Sequence, residues 1–294
     1  MFNINAVCTR LATSAGVEHV DTSSAIESSH KWKRVRRGLV AAAAAAAATS
    51  VWADTCSELS ARGLDHASLT SAIRAVVPAA GKPNGGLGFP MWLTLVDGSG
   101  VVCAVTTSLD GTDGNADATA DIWLGSRVIS AQKANTANAF SNGKLALSTA
   151  NLYSAVQPGG SLYGLQHSNP VDAAQAYEGK AADFGTTKDA LVGTRVGGVN
   201  VFGGGLALYA NRRKIGAIGV SGDTSCTDHV VAWKVRASLG LAGVPAFGNF
   251  DKMFQDITPN PNGGTGNSAS GFGHPACLFN PTPAQAGDSI IGNS

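Results

Sequence analysis

The side chains able to do chemistry are few in this chain and lie far apart. Of its six histidines, His66, His167, His229 and His274 lie beyond residue 53. Imidazole is the commonest neutral metal ligand and proton carrier near pH 7. His167 follows "SLYGLQ", an irregular stretch open to a ligand, although an exposed loop histidine is the plainer reading. His229 opens a helical pattern, and His66 and His274 lie outside the strongly patterned segments. Ser221 sits in "KIGAIGVSGDTSC", where an apolar run delivers a serine to small residues. A hydrolase elbow reads G-x-S-x-G on a strand-to-helix turn of a parallel sheet. Here the fifth position is Asp223, and Asp228 and His229 are adjacent rather than dispersed around the serine, so a hydrolase using Ser221 is a weak alternative. Asp110, Asp113, Asn115, Asp117 and Asp121 crowd one loop, as calcium ligands do. Counted from Asp113, the sixth position is Ala118 and the twelfth Leu124, where an EF-hand needs Gly and Glu.

Four cysteines lie beyond residue 53: Cys56, Cys103, Cys226 and Cys277. None forms a C-x-x-C pair, which argues against a thioredoxin-like site or a zinc ribbon. An even count allows two disulfides in three pairings. The reading favoured here is Cys103–Cys226, tying the sheet to a following helix, with Cys56–Cys277 joining the two tails.

The leader sets the compartment. Residues 31–53, "KWKRVRRGLVAAAAAAAATSVWA", place five basic residues before a short apolar run, then offer Val51 and Ala53 ahead of Asp54. That is the layout of a secretory signal peptide, and the run is too short to span a bilayer. Residues 1–30 form an upstream extension of unclear status. The expected product is periplasmic or secreted, begins near Asp54 and is close to neutral, with no nucleic-acid surface and no membrane span.

The elements that must position these groups follow from periodicity. "LTSAIRAVVPAAG" keeps helical spacing over Leu69 to Gly81. Met91 to Val96 and Val101 to Thr107 flank Asp97-Gly98-Ser99-Gly100, a hairpin signal. Helices are predicted over 122–140 and over "GKLALSTANLYSAVQ". A second hairpin runs Leu206 to Ala210, turn Asn211 to Lys214, and Ile215 to Ser221. "SCTDHVVAWKVRASLGL" gives a final helix capped by Ser225 or Thr227. Residues 171–198 are a long Ala-, Gly- and charge-rich excursion with one short helix expected in it. The Gly/Asn/Pro-rich stretch 244–294 is expected to be extended or disordered. Hairpins bracketed by helices argue an antiparallel sheet in an α+β domain.

In this order "LTLVDGSGVVCAV", "LDG", "SAQKANTANAF", "QPGGSLYGLQ", "FGGGLALY" and "KIGAIGVSGDTSCTD" resemble the GlcG/HbpS family of haem-binding, proposed haem-degrading proteins. The resemblance covers about residues 66–241 and implies a domain over 54–243 interrupted by an insertion at about 170–199. It implies a profilin-like layered fold, about five antiparallel strands with helices on both faces, assembled as homo-oligomers (dimers or octamers). It implies haem or a related tetrapyrrole as ligand, and a role as scavenger or sensor accessory, with haem degradation a further family property. The ligand region it points to comprises Lys133, Thr136, Asp110, Tyr163 and Ser221. Lys133 would meet a haem propionate or another carboxylate, and His167 is the candidate for the iron, since a haem iron takes His, Met, Cys or Tyr. The other reading is a structural or interaction protein of the same fold without haem activity, with the insertion remodelling the pocket.

Overall fold

Two hairpins build the sheet, and their turns set the register. The computed structural model describes residues 54–109 and 117–292; the leader, residues 1–30 and Asp110 lie outside these. Strands β1 (Trp92–Asp97) and β2 (Val102–Thr107) pair antiparallel. Asp97 Oδ1 accepts hydrogen bonds from the Ser99 and Val101 amides and the Ser99 hydroxyl, an Asx turn that closes the hairpin. The second hairpin joins β3 (Gly205–Ala210) to β4 (Arg213–Ser221). Its link, Asn211 and Arg212, has φ of 50° and 63°, the two-residue primed turn that matches strand twist. β4 also pairs antiparallel with β1, so the order is β2-β1-β4-β3. The sheet therefore has four strands rather than about five. Beside β3 the described residues supply one isolated bridge, Tyr209 to Ala242, where a fifth strand would add.

Alternate residues of each strand point to opposite faces. Leu93, Leu95, Leu206, Leu208, Ile218 and Val220 meet helices α1 (Cys56–Ala61), α2 (His66–Val76) and α6 (Ser225–Ser238). On the other face Trp92, Val96, Ala207 and Ala217 meet Val128, Ala131, Ala134 and Ala137 of α3 (Gly125–Phe140). Helices thus cover both faces, as the pattern predicts. α6 is capped by Thr224, whose side chain accepts from the Thr227 amide, rather than by Ser225 or Thr227.

Three expectations give way to structure. "GKLALSTANLYSAVQ" is no helix but two 3₁₀ turns, Thr149–Leu152 and Ser154–Val156. Its polar side chains bind distant backbone instead: Thr149 Oγ1 accepts from the Gly205 amide, and Asn151 Nδ2 donates to the Phe250 and Lys252 carbonyls. Such side chain–backbone bonds compete with helix. After the single-turn helix α4 (Leu165–Ser168), the excursion carries one short α-helix, α5 (Ala173–Ala176), and packs Ala176, Leu191 and Val196 into the α3-side core.

The C-terminal stretch is folded as well. β5 (Met253–Gln255) pairs in parallel with β8 (Ile290–Gly292), while the two-residue β6 (Ile257–Thr258) and β7 (Asn267–Ser268) and the one-turn helix α7 (Pro283–Ala286) lie between. The segment holds on by small apolar clusters, Met253 with Ala150 and Cys226 and Phe250 against Leu147 and Leu152, and by buried polar bonds. Asp251 pairs with the buried Arg236 at 2.7 Å, and the Ser289 carbonyl accepts from His229. This packing re-pairs the cysteines. The disulfides are Cys56–Cys103 and Cys226–Cys277, not Cys103–Cys226 and Cys56–Cys277. α1 lies over the first hairpin, which brings Cys56 to β2, and the returning tail brings Cys277 to the start of α6.

Candidate functional site

Of the residues assigned to a ligand region, Lys133, Thr136 and Ser221 are interior. Lys133, 1 % exposed, projects from α3 to the end of β4, where Nζ donates to the Val220 carbonyl at 3.0 Å and to Asp228 Oδ2 at 2.7 Å. Asp228 Oδ1 accepts from the Asp223 amide. Burial pushes the Lys133 ammonium down and the Asp228 carboxyl up to about 6, each opposed by the other's charge. A propionate would have to displace Asp228, so Lys133 is a tie between α3, β4 and α6. Thr136 Oγ1 donates to the Gln132 carbonyl and accepts from the Asn200 amide, fastening the end of the insertion. Ser221 is buried opposite Trp92 at the end of β4. Asp228 is committed to Lys133, and His229 to Ser148 and Ser289, which leaves Ser221 no acid–base partner from the adjacent pair.

The histidines divide by burial. His229 is fully buried, its Nε2 donating to the Ser289 carbonyl and its Nδ1 facing the Ser148 hydroxyl at 3.3 Å. His274 is 2 % exposed; its Nδ1 donates to the Pro275 carbonyl and its Nε2 meets the Ser225 hydroxyl at 2.8 Å. Burial pushes His229 down to about 3 and His274 down to about 4. His66 Nε2 donates to the Gly185 carbonyl. His167 is exposed on α4, four residues after Tyr163, itself 63 % exposed. Of the acidic loop, Asp117 and Asp121 are spent on local turns: Asp117 Oδ1 accepts from Thr119, and Asp121 Oδ2 accepts from the Asp117 amide.

Two cavities stand out by size. One, about 290 Å³, is lined by Ser154, Gln157, Ser161, Asn267 and glycines of two turns; its wall is polar and carries no iron ligand. The other, about 270 Å³, lies between the start of α3 and the insertion, lined by Leu124, Gly125, Arg127, Val128, Tyr177 and Phe184. Next to it in sequence, Ile122 and Trp123 line a smaller cavity of about 180 Å³ with Phe89 and Pro90. Tyr163 and His167 line none of these.

Arg127 builds the apolar site. It is 2 % exposed; Nε and Nη2 form a fork with Asp189 at 2.9 and 2.5 Å, and its guanidinium lies over the Phe184 ring at 4.0 Å. Nη1 and Nη2 also donate to the carbonyls of Ala176 and Glu178, the residues flanking Tyr177. The buried pair thus pins the insertion to α3 and presents the Tyr177 phenol at the rim. Tyr177, missed by sequence reasoning, is 67 % exposed. Its signal is that it and Phe184 are the two aromatics of a mostly small and charged excursion.

A haem needs an iron ligand and an apolar slot. Among the described residues the four cysteines are in disulfides and the methionines are buried. Tyr163, His167 and Tyr177 are the iron-competent side chains that are exposed and make no side-chain hydrogen bond. Of these, Tyr177 has the apolar wall beside it, so the donor and the lining suit the group at that point, while the cavity, at about 270 Å³, holds only part of a macrocycle.

A family model described as haem-degrading protein, HbpS-like, matches residues 64–237. No curated protein matches the chain. Among solved structures it is similar to the Klebsiella pneumoniae protein ORFY, with 23 % identity and a TM-score of 0.38 over 61 % of this chain and 88 % of that one. It is also similar to PduOC in complex with haem, with 22 % identity and a TM-score of 0.40 over 60 % and 94 %. A third likeness is to HbpS, with 21 % identity and a TM-score of 0.36 over 60 % and 90 %.

Proposed function

This chain belongs to the HbpS-like haem-degrading protein family, and from that premise we propose that it binds haem or a related tetrapyrrole in the apolar cavity between α3 and the insertion. The observation that carries the reading is the exposed Tyr177 phenol beside Leu124, Val128 and Phe184. A phenolate is a recognised haem ligand, and the macrocycle supplies the flat apolar body such a wall accepts. Lys133 and Thr136 act from beneath, by fixing α3 and the insertion. The cavity is smaller than a haem, so a second copy covering Trp123 and Leu124 would complete it, in keeping with homo-oligomeric assembly. His167 with Tyr163 is the alternative iron ligand set, held at an open surface. Titration of wild-type and variant proteins with haemin separates the two. Tyr177→Phe is expected to lose the ligand-to-iron charge-transfer band and weaken binding at least about tenfold, while His167→Ala keeps the wild-type spectrum. The reverse pattern would place the iron at His167.

We also propose that the protein is exported and works outside the cytoplasm as a haem scavenger or sensor accessory. The leader pattern of residues 31–53 and the two disulfides support this. N-terminal sequencing of the protein from its own host is expected to start at Asp54; recovery of the intact leader in a cytoplasmic fraction would contradict it.

A further inference from the structure

The start of α6 and the returning tail place two cysteines and a histidine together. The sulfurs of Cys226 and Cys277 and an imidazole nitrogen of His274 all lie within 4.8 Å of one another. A tetrahedral zinc with Zn–S near 2.3 Å and Zn–N near 2.0 Å holds such atoms about 3.5–3.8 Å apart. We infer that opening the Cys226–Cys277 disulfide converts this corner into a zinc site, with Cys226 Sγ, Cys277 Sγ and His274 Nε2 as its three protein ligands.

The surroundings fit each ligand. His274 Nδ1 faces the Pro275 carbonyl at 2.7 Å. A carbonyl only accepts, so Nδ1 carries the hydrogen and Nε2 the lone pair. A ligand histidine is commonly fixed by such a backbone bond from its other nitrogen. The lone pair is taken by the Ser225 hydroxyl, which also accepts from the Gly203 amide and stays anchored when a metal replaces its hydrogen. The sulfurs have donors of their own. The Cys226 amide points at Cys277 Sγ at 3.1 Å, and Gln255 Nε2 at Cys226 Sγ at 3.3 Å, with Gln255 held by Asn280. Cys226 is the second residue of α6, whose N-terminal end favours a thiolate. Cys277 is only partly buried and is followed by the exposed Leu278 and Phe279, so a reductant reaches that sulfur first.

The chemistry balances with a dithiol as reductant. The dithiol attacks Cys277 Sγ, the Cys226–Cys277 bond breaks, and the dithiol closes to its own disulfide, having given two electrons and two protons. Zinc then replaces the two cysteine protons, which pass to solvent, and His274 adds its lone pair. The other cluster, Cys56, Cys103 and Asp97, is a built-in comparison, because its third group is a carboxylate, Asp97 Oδ2 at 3.8 Å from Cys56 Sγ, in place of the imidazole that suits zinc.

The test uses the full chain, reduced with dithiothreitol, freed of it without air and given Zn²⁺. The reduced chain is expected to hold one zinc by elemental mass spectrometry and the oxidised chain none. Zinc should protect Cys226 and Cys277, but not Cys56 and Cys103, from iodoacetamide on peptide mapping. His274→Ala should weaken uptake at least about tenfold, and Ser225→Ala should not. Unprotected Cys226 and Cys277, in a reduced chain that stays folded or in one that does not, would overturn the inference. So would equal zinc affinity in His274→Ala.

Discussion

Gly219→Ala is expected to destabilise the protein by about 3 kcal/mol or more, a large part of the roughly 5–15 kcal/mol that holds a typical domain. Gly219 lies two residues before the end of β4, paired with Thr94 on one side and Gly205 on the other, and faces α3. A Cβ there would overlap the Ser130 carbonyl oxygen and lie 2.6 Å from the Ala134 amide nitrogen. Both are backbone atoms of α3, so no side chain can swing aside; the helix itself must lift. Lifting it opens the contacts of Ala131, Ala134 and Ala137 with the sheet and strains the Lys133 tie to Val220 and Asp228. Chemical denaturation followed by circular dichroism measures the effect, and a variant within about 1 kcal/mol of wild type would show that α3 does not close on the sheet as described.

Acid is expected to have the second large effect. His229 and His274 are buried neutral, with proton affinities held down to about 3 and about 4 by desolvation. A histidine whose folded value lies below its unfolded value stabilises the fold above the unfolded value, near 6.5, and loses that contribution as pH falls towards the folded one. Asp228, raised to about 6, works the other way, because its folded form binds a proton more readily than the unfolded chain. Two histidines outweigh one carboxyl. Each tenfold difference in proton affinity is worth about 1.4 kcal/mol, so the net loss between pH 6.5 and 4 is on the order of several kcal/mol. Melting temperature followed across that range should begin to fall below pH 6.5, and His274→Gln should flatten the fall. A wild-type melting temperature constant down to pH 4.5 would contradict the burial of these two rings.

What could be read from sequence was what local pattern decides. The Asp97-Gly98-Ser99-Gly100 turn encodes its hairpin in the turn residues themselves; the second hairpin is legible too, but its turn reads as Asn211 to Lys214 where the structure closes it with Asn211 and Arg212 alone. The alternation of Leu93 and Leu95 with Trp92 and Val96 declares two buried faces, and with them an α+β layer. The missed features depend on partners distant in the chain. The tail is held by Arg236, His229, Asn151 and the Cys226 disulfide, with Phe250 and Met253 in small apolar clusters, and no window of sequence shows those partners together. The cysteine pairing failed for the same reason. Lys133 stands out in the sequence, but its partner Asp228 is 95 residues away, so no local pattern pairs the two. Tyr177 gains meaning only when Arg127 and Asp189 bring the insertion against α3.

Titration of the purified full chain with haemin tests the central claim most directly. Saturable binding should appear as a shifted Soret band at micromolar protein and carry the charge-transfer signature of a phenolate-ligated ferric iron, and that signature should disappear in Tyr177→Phe. Absence of any saturable Soret shift would contradict haem binding by this chain.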